Sequence, residues 1–212
     1  MKKSLFTITL LPAMLLVACG GTKITAEEFV TKATAAAEAL NEKYDDADVT
    51  SATTTATVKN SYVCKGLSAL GFEDESLTET GKFKFTMNFE TDELTADPDE
   101  DDSELDLLYF AEDNVFTMAS HINPTGVPEG TIVTCYSNPL RIVGILDVEQ
   151  SNAYDGTTKT HMLLSYTFDS DGIISKVQVE ESYLVTGTID DAKINGSQTF
   201  KNTVSFSKTI FA

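Results

Sequence analysis

The stretch Lys82-Phe83-Lys84-Phe85-Thr86-Met87-Asn88-Phe89 alternates strictly between polar and large apolar side chains. Successive side chains of a β-strand point to opposite faces of a sheet, so this pattern predicts a strand with one apolar face. A later stretch carries the same alternation, with Met162, Leu164, Tyr166 and Phe168 on one side. Two such strands predict a sheet that buries one of its faces.

Most of the remaining chain is predicted to form further strands joined by short turns. The threonine-rich alternation at residues 52–59 favours a strand over a helix. Strands are also predicted at residues 107–111 and 115–119 (as a hairpin), 131–136, 140–148 (a short helix is the alternative), 159–169, 173–186 and 199–211. Residues 61–81 are predicted to be irregular, with a helical turn at 65–70. The dipeptides Asp155-Gly156, Asp171-Gly172 and Asn195-Gly196 predict hairpin turns.

A single helix is predicted before the strands. Thr25 and Glu28 have the spacing of a capping box, in which each side chain accepts a hydrogen bond from the other residue's backbone N–H. Ile24 and Phe29 flank the box at the positions of a hydrophobic staple. Residues 26–43 then show helical spacing of apolar side chains, with an alanine-rich face suited to packing on a sheet. One helix followed by about eight to ten antiparallel strands predicts an α+β fold.

This order of elements resembles the LolA-like family of lipoprotein and lipid carriers, and residues 169–177 resemble a hairpin common in such proteins. The resemblance covers most of the chain at the level of element order. It implies that the N-terminal amphipathic helix packs on a curved, half-barrel-like antiparallel sheet and that the protein carries a lipid. Since neither an internal repeat nor a linker is visible, residues 25–212 are predicted to form a single domain.

The N-terminus has the pattern of a secretory leader. Lys2 and Lys3 precede an apolar run of 14 residues, 5–18, which is too short to cross a bilayer as a helix. The run ends in Leu16-Val17-Ala18-Cys19-Gly20, which resembles the lipobox of bacterial lipoproteins. The resemblance predicts a lipoprotein signal peptide.

The lipobox also implies how the protein is processed and where it is located. Residues 1–18 would be removed as a cleaved signal peptide, and residues 19–24 would form a short tether. Cys19 would carry a diacylglycerol with acyl chains such as palmitate, and two acyl chains suffice for a stable membrane anchor. The protein is then expected on the extracytoplasmic face of a cell membrane, or in the outer membrane where the host is Gram-negative.

Charge and composition exclude several partners. The chain has 15 basic and 33 acidic residues, a net charge of −18, and Arg141 is its one arginine. Binding to phosphate backbones needs clustered Lys and Arg, so no nucleic acid is expected. Three cysteines and two histidines leave few ligands for zinc, so no metal and no cofactor is expected. With Cys19 lipidated, Cys64 and Cys135 remain, either as a disulfide or as two buried thiols.

The sequence contains no complete catalytic motif. The acidic residues 97–104 depart from the EF-hand at two positions, where Asp102 replaces the glycine and Leu108 replaces the glutamate. Residues 66–70 depart from the nucleophile elbow because Leu70 replaces its second glycine. No pattern joins a cysteine to either histidine. The protein is therefore predicted to be non-enzymatic.

The apolar stripe of the two clearest strands is the candidate ligand site. It comprises Phe83, Phe85, Met87, Phe89, Leu164, Tyr166 and Phe168. Two interpretations stay open: a filled core beneath the helix, or a cleft that receives an acyl chain. The predicted function is that of a membrane-anchored lipoprotein that binds or carries an apolar ligand. The alternative is a structural or interaction lipoprotein whose acidic surface faces a protein partner.

Overall fold

The computed structural model describes residues 21–44, 48–91, 93–96 and 130–212. In chain order its elements are β1 (Thr22–Ile24), α1 (Ala26–Tyr44), β2 (Ser51–Lys65), a 3-10 turn (Ser68–Leu70), β3 (Glu75–Asn88), β4 (Glu93–Ala96), β5 (Ile132–Asn138), β6 (Arg141–Ser151), β7 (Thr157–Phe168), β8 (Ile174–Ile189), β9 (Ala192–Phe206) and β10 (Ile210–Phe211). The leader with Cys19, the acidic residues 97–104 and the hairpin predicted at 107–119 lie outside the described residues.

All the strands belong to one antiparallel sheet. Nine of them follow the order β1-β5-β6-β7-β8-β9-β2-β3-β4, and β10 pairs with β2 beside this path. Strand β9 pairs with β2 from Ala56 to Lys65, while β10 pairs with Ala52 and Thr53. Strand β10 therefore continues the line of β9 after an interruption, in which the Ser207 backbone N–H donates to the Thr55 carbonyl at 2.8 Å.

The predicted α+β fold, with an N-terminal helix packed on a curved, half-barrel-like sheet, is wrong. Strand makes up 66% of the structure and helix 11%, and the sheet is open. Among the described side chains of α1, only Phe29 and Ala36 are buried. An alanine-rich face supplies little volume, so α1 contacts β5, β6 and β8 without forming a second layer over the sheet.

The predicted start of the helix is confirmed. The Thr25 backbone N–H donates to Glu28 Oε2 at 2.8 Å, and the Glu28 backbone N–H donates to Thr25 Oγ1 at 3.1 Å. Ile24 packs against the apolar cluster that contains Phe29, as a hydrophobic staple requires. The helix ends at Tyr44, one residue beyond the predicted end.

Strands β2 and β3 are longer than predicted. The interval 61–81, predicted to be irregular, contains the end of β2 and the beginning of β3. Residues 75–80 of β3 are exposed on both faces, so they show no alternation of apolar and polar side chains. The predicted helical turn is the 3-10 turn Ser68–Leu70. The interval 140–148, from Arg141 onward, lies in strand β6 and does not form the alternative helix.

Two of the three predicted hairpin turns are confirmed. Asp155-Gly156 and Asp171-Gly172 both lie between consecutive strands, and Asp169 Oδ1 accepts hydrogen bonds from two backbone N–H groups in the second turn. The prediction for Asn195-Gly196 is wrong, because both residues lie inside β9. The turn that precedes β9 is Asp190-Asp191, with positive φ angles of 46° and 64°.

The sheet has two faces that differ in chemistry. The apolar face carries Leu164, Val179 and Phe83, and two of its clusters both contact Phe206. The opposite face, called here the polar face, carries mainly hydroxyl and charged side chains together with a small buried cluster of Val143, Ile145 and Leu163. The helix packs against the apolar face, since Phe29 belongs to the cluster of Leu164.

Candidate ligand-binding trough

A cavity of about 830 Å³ lies across strands β5 to β9. Most of the strand residues that line it project to the polar face, and residues 65–66 and 130 complete its border. This cavity is called the trough below. Its volume falls within the usual range for small-molecule sites, roughly 300–1,000 Å³.

The register of the strands brings the trough's polar groups into two neighbouring rows. In the first row Ile132 pairs with Asp147, Asp147 with His161, His161 with Ser182 and Ser182 with Thr199. In the second row Glu149 pairs with Lys159, Lys159 with Leu184, Leu184 with Ser197 and Ser197 with Lys65. Residues that pair across strands project to the same face, so each row forms part of the trough wall.

Asp147 and His161 form the closest polar contact in the trough. His161 Nδ1 lies 2.7 Å from Asp147 Oδ1, and the His161 side chain is 12% exposed against 50% for Asp147. A carboxylate only accepts hydrogen bonds, so the proton of this bond belongs to Nδ1. In the neutral imidazole, Nε2 then carries a lone pair and is an acceptor.

Glu149 and Lys159 form a second pair two residues further along the same strands. Lys159 Nζ lies 2.9 Å from Glu149 Oε2, and both side chains are about half exposed. Pairs this exposed contribute little to stability, typically about 0–1 kcal/mol. Their main effect here is to place a second hydrogen-bond donor and acceptor, whose opposite charges balance, beside those of Asp147 and His161.

The remaining wall of the trough is apolar. Ile145 is buried on the polar face and packs with Val143 and Leu163, and Tyr136 covers this cluster. Ile132 stands at the border with 65% of its surface exposed. The trough therefore combines an apolar flank on β5 and β6 with charged groups on β6 and β7 and hydroxyl groups on β8 and β9.

Close backbone packing shapes the end of the trough at the β2–β3 connection. Gly66 has a φ of 69°, and its N–H donates to Asp74 Oδ1 at 2.7 Å. A Cβ atom on Gly196 would lie 2.5 Å from the Gly66 carbonyl carbon and oxygen. Gly196 is therefore required for the approach of this connection to β9, rather than for a turn.

The perturbed pKa values of the structure lie on the apolar face. Burial raises the pKa of Cys135 to about 11 and raises that of Tyr166. Burial, together with the charge of Glu181 and a hydrogen bond to it, raises the pKa of Tyr183 to about 12. Cys135 is consequently a neutral thiol at pH 7 and a poor nucleophile.

Five of the seven residues of the predicted apolar stripe lie within or beside the core clusters. Phe83 and Leu164 are fully buried, and Tyr166 is nearly so. Phe85 stacks on Phe83 with ring centroids 6.0 Å apart, and Phe168 packs on the cluster of Leu164. Met87 and Phe89 are half-buried at the end of β3. None of these side chains lines the trough.

The structure does not bring the two remaining cysteines together. Cys64 and Cys135 are buried free thiols in separate clusters. They lie on β2 and β5, five strand spacings of about 4.8 Å apart along the sheet. Of the two histidines, His161 lies in the trough and His121 lies outside the described residues.

Comparison of the sequence with protein-family models and with curated proteins finds no match. No protein-family model matches the chain, and no curated protein has significant sequence similarity to it. Among the helices of the described residues, none combines the length and apolar character needed to span a membrane. No group of three His, Cys, Asp or Glu residues in the described part of the chain is placed to hold a metal ion.

Proposed function

We propose that the protein is a lipid-anchored binding protein, which Cys19 holds at the extracytoplasmic face of a membrane and which binds a small ligand in the trough. The observation that carries this proposal is the trough itself. It joins a volume of about 830 Å³ to an apolar flank and a limited set of placed polar groups. That combination is typical of small-molecule sites.

The trough, rather than the apolar stripe, is the favoured place for the ligand. Phe83 and Leu164 already fill the core, and displacing them would forfeit several kcal/mol each, on the scale of about 3–5 kcal/mol for a buried Phe. The trough offers its volume without any such displacement.

Binding is favoured over catalysis because the polar groups of the trough are not arranged as a nucleophile and its base. Ser182 lies opposite His161 in the register of β7 and β8. No hydrogen bond joins these two described side chains, and His161 is bonded through Nδ1 to Asp147 instead. A Ser–His–Asp site needs the base within hydrogen-bond reach of the nucleophile.

The membrane anchor is supported by the lipobox, and the position of the first strand sets how close to the membrane the sheet would then lie. Leu16-Val17-Ala18-Cys19 ends an apolar run that follows two lysines. Strand β1 begins at Thr22, three residues after Cys19, so the sheet itself would lie near the bilayer surface.

The trough is tested by filling it with a tryptophan. Thr199 lies in the trough, and Thr203 lies on the same strand and the same face but outside it. Thr199→Trp is therefore the test variant and Thr203→Trp its matched control. We expect native mass spectrometry of the full chain, extracted from its host membranes, to detect a non-covalent small molecule on the wild type and on Thr203→Trp. We expect that mass to be lost from Thr199→Trp.

Two results would overturn the proposed binding function. The wild-type chain could carry no small molecule, which would favour the structural or interaction protein. Alternatively, Thr199→Trp could retain the same bound mass as the wild type, which would place the ligand elsewhere. Circular dichroism of both variants verifies that the sheet has formed.

A further inference from the structure

We infer that the ligand of the trough is an uncharged oligosaccharide, an inference that rests on the proposed binding function. Three features of the lining carry it: balanced charge, closely spaced pairs of donors and acceptors, and an apolar flank.

The charges that line the trough balance locally although the chain as a whole is strongly acidic. Apart from His161, the ionisable lining consists of two basic and two acidic side chains: Lys65, Lys159, Asp147 and Glu149. The full chain carries a net charge of −18. An anion gains nothing from the neutral trough and is repelled by the protein's overall field, while a cation finds carboxylates that are already paired. An uncharged ligand fits this environment best.

The two polar pairs offer hydrogen-bond donors and acceptors side by side. Asp147–His161 and Glu149–Lys159 are two residues apart along β6 and β7, a separation of about 7 Å. A hydroxyl group both donates and accepts, so one hydroxyl can bind both members of such a pair. The hydroxyls of Ser182 and Ser197 continue the array on β8 and β9. Saccharides present hydroxyls on neighbouring carbons and are suited to this arrangement.

The apolar flank matches the other surface of a sugar ring. Tyr136, Ile145 and Leu184 border the trough beside the polar pairs. Pyranose rings expose C–H groups on their faces, and these pack on aromatic and aliphatic side chains. A volume near the upper end of the small-ligand range admits several linked rings rather than a single sugar.

An acyl chain fits the trough less well than a saccharide. Its methylenes would cover Asp147, His161, Glu149 and Lys159 without replacing the hydrogen bonds that water makes to them. Covering polar and charged groups without new partners is costly. The same groups gain hydrogen bonds from a saccharide.

The inference is tested with defined sugars on the full chain, solubilised in a zwitterionic detergent that has no sugar headgroup. The probes are maltotriose, cellotriose, chitotriose and mannotriose, with sialyllactose as the anionic probe and palmitate as the apolar one. We expect saturation-transfer NMR and calorimetry to show saturable binding of at least one neutral trisaccharide, with competition among those that bind.

Two matched substitutions separate trough recognition from a general effect on the fold. Glu149→Gln removes a carboxylate that is paired with Lys159 in the trough. Glu180→Gln removes a carboxylate on the same face but outside the trough, where Glu180 Oε2 lies 3.3 Å from Lys201 Nζ. We expect Glu149→Gln to weaken trisaccharide binding by about tenfold, the usual effect of losing a charge-assisted hydrogen bond. Glu180→Gln should change it less than about twofold, because neither Glu180 nor Lys201 lines the trough.

The outcomes distinguish this inference from the function on which it rests. If palmitate or sialyllactose binds, Thr199→Trp abolishes that binding and no neutral trisaccharide binds, the saccharide inference is overturned and the binding function stands. Equal effects of Glu149→Gln and Glu180→Gln also overturn the inference. If no probe binds and no small molecule co-purifies with the wild type, both fail.

Discussion

At the scale of single residues, Cys135 shows how burial controls chemistry. Its side chain is almost fully buried and pairs through the register with Gly144, in the row that continues to Leu164 and Val179. Ionising the thiol would place a charge among apolar groups, and this raises its pKa from an ordinary 9.0 to about 11. The thiolate is the reactive form, so the folded chain protects this cysteine.

The raised pKa predicts a loss of stability at alkaline pH. Between pH 9 and 11 the unfolded chain has released the thiol proton and the folded chain has not, so the free energy of unfolding falls as pH rises. Cys135→Ala removes this contribution. We expect the wild type to lose roughly 2 kcal/mol more than the variant between pH 8 and pH 10.5, measured by urea unfolding at each pH. Equal losses in the two chains would contradict the shifted pKa.

At the scale of elements, α1 is attached through few side chains. Phe29 is 2% exposed and its ring centroid lies 6.1 Å from that of Tyr166, whereas its neighbour Val30 is 38% exposed. We expect Phe29→Ala to lower the free energy of unfolding by about 3–5 kcal/mol, the usual cost of deleting a buried ring. Val30→Ala is the adjacent control and should cost less than about 0.5 kcal/mol.

Chemical denaturation of both variants checks the attachment of α1. A small effect of Phe29→Ala, comparable to that of Val30→Ala, would show that the helix is dispensable to the sheet. Hydrogen exchange adds a local readout. Relative to the wild type, Phe29→Ala should speed the exchange of α1 amides more than that of β8 amides.

Local sequence patterns predicted the elements better than their extent. The capping box of Thr25 and Glu28 was visible because both partners lie within one turn of helix. The beginning of β3 was missed because its side chains are exposed on both faces and carry no periodic signal. Asn195-Gly196 was misread because a glycine needed for close packing on Gly66 has the same sequence signature as a turn glycine.

The candidate site was missed because it depends on register across five strands. Asp147, Glu149, Lys159 and His161 alternate along β6 and β7, and the turn around Asp155-Gly156 sets their pairing. The register of that hairpin could have been worked out from the position of its turn. It would have paired Asp147 with His161 and Glu149 with Lys159. The contributions of Tyr136 and Thr199 could not have been found, because β5 and β9 approach this hairpin only in the completed sheet.

At the scale of the whole molecule, the predicted fold class was wrong because the helix has a clear sequence pattern. That pattern gave the helix more weight in the prediction than the strands, whose patterns are weaker. The apolar alternation at Phe83 and Leu164 correctly predicted a sheet with one buried face. The expected cover by α1 did not follow, since its alanine-rich face gives the sheet few large side chains. A long antiparallel sheet therefore dominates the structure.

The proposed anchor gives a prediction for the whole chain. We expect Cys19→Ser to abolish incorporation of labelled palmitate in the bacterial host and to prevent cleavage before residue 19, because the thiol is the acceptor of the lipid. Cys64→Ser is the control, since a buried thiol is not expected to be acylated. Labelling and membrane fractionation of both variants provide the measurement, and unchanged labelling of Cys19→Ser would refute the anchor.

Strand β1 would give a chain anchored through Cys19 a defined orientation. Thr22, Lys23 and Ile24 pair with Ser137, Tyr136 and Cys135. The segment that follows Cys19 is therefore an edge strand of the sheet and not a free linker. Residues 19–21 span at most about 10 Å. A lipid on Cys19 would thus hold β5, and with it the Tyr136 wall of the trough, close to the lipid headgroups. In that position the trough would meet molecules displayed at the cell surface before those that diffuse beyond it.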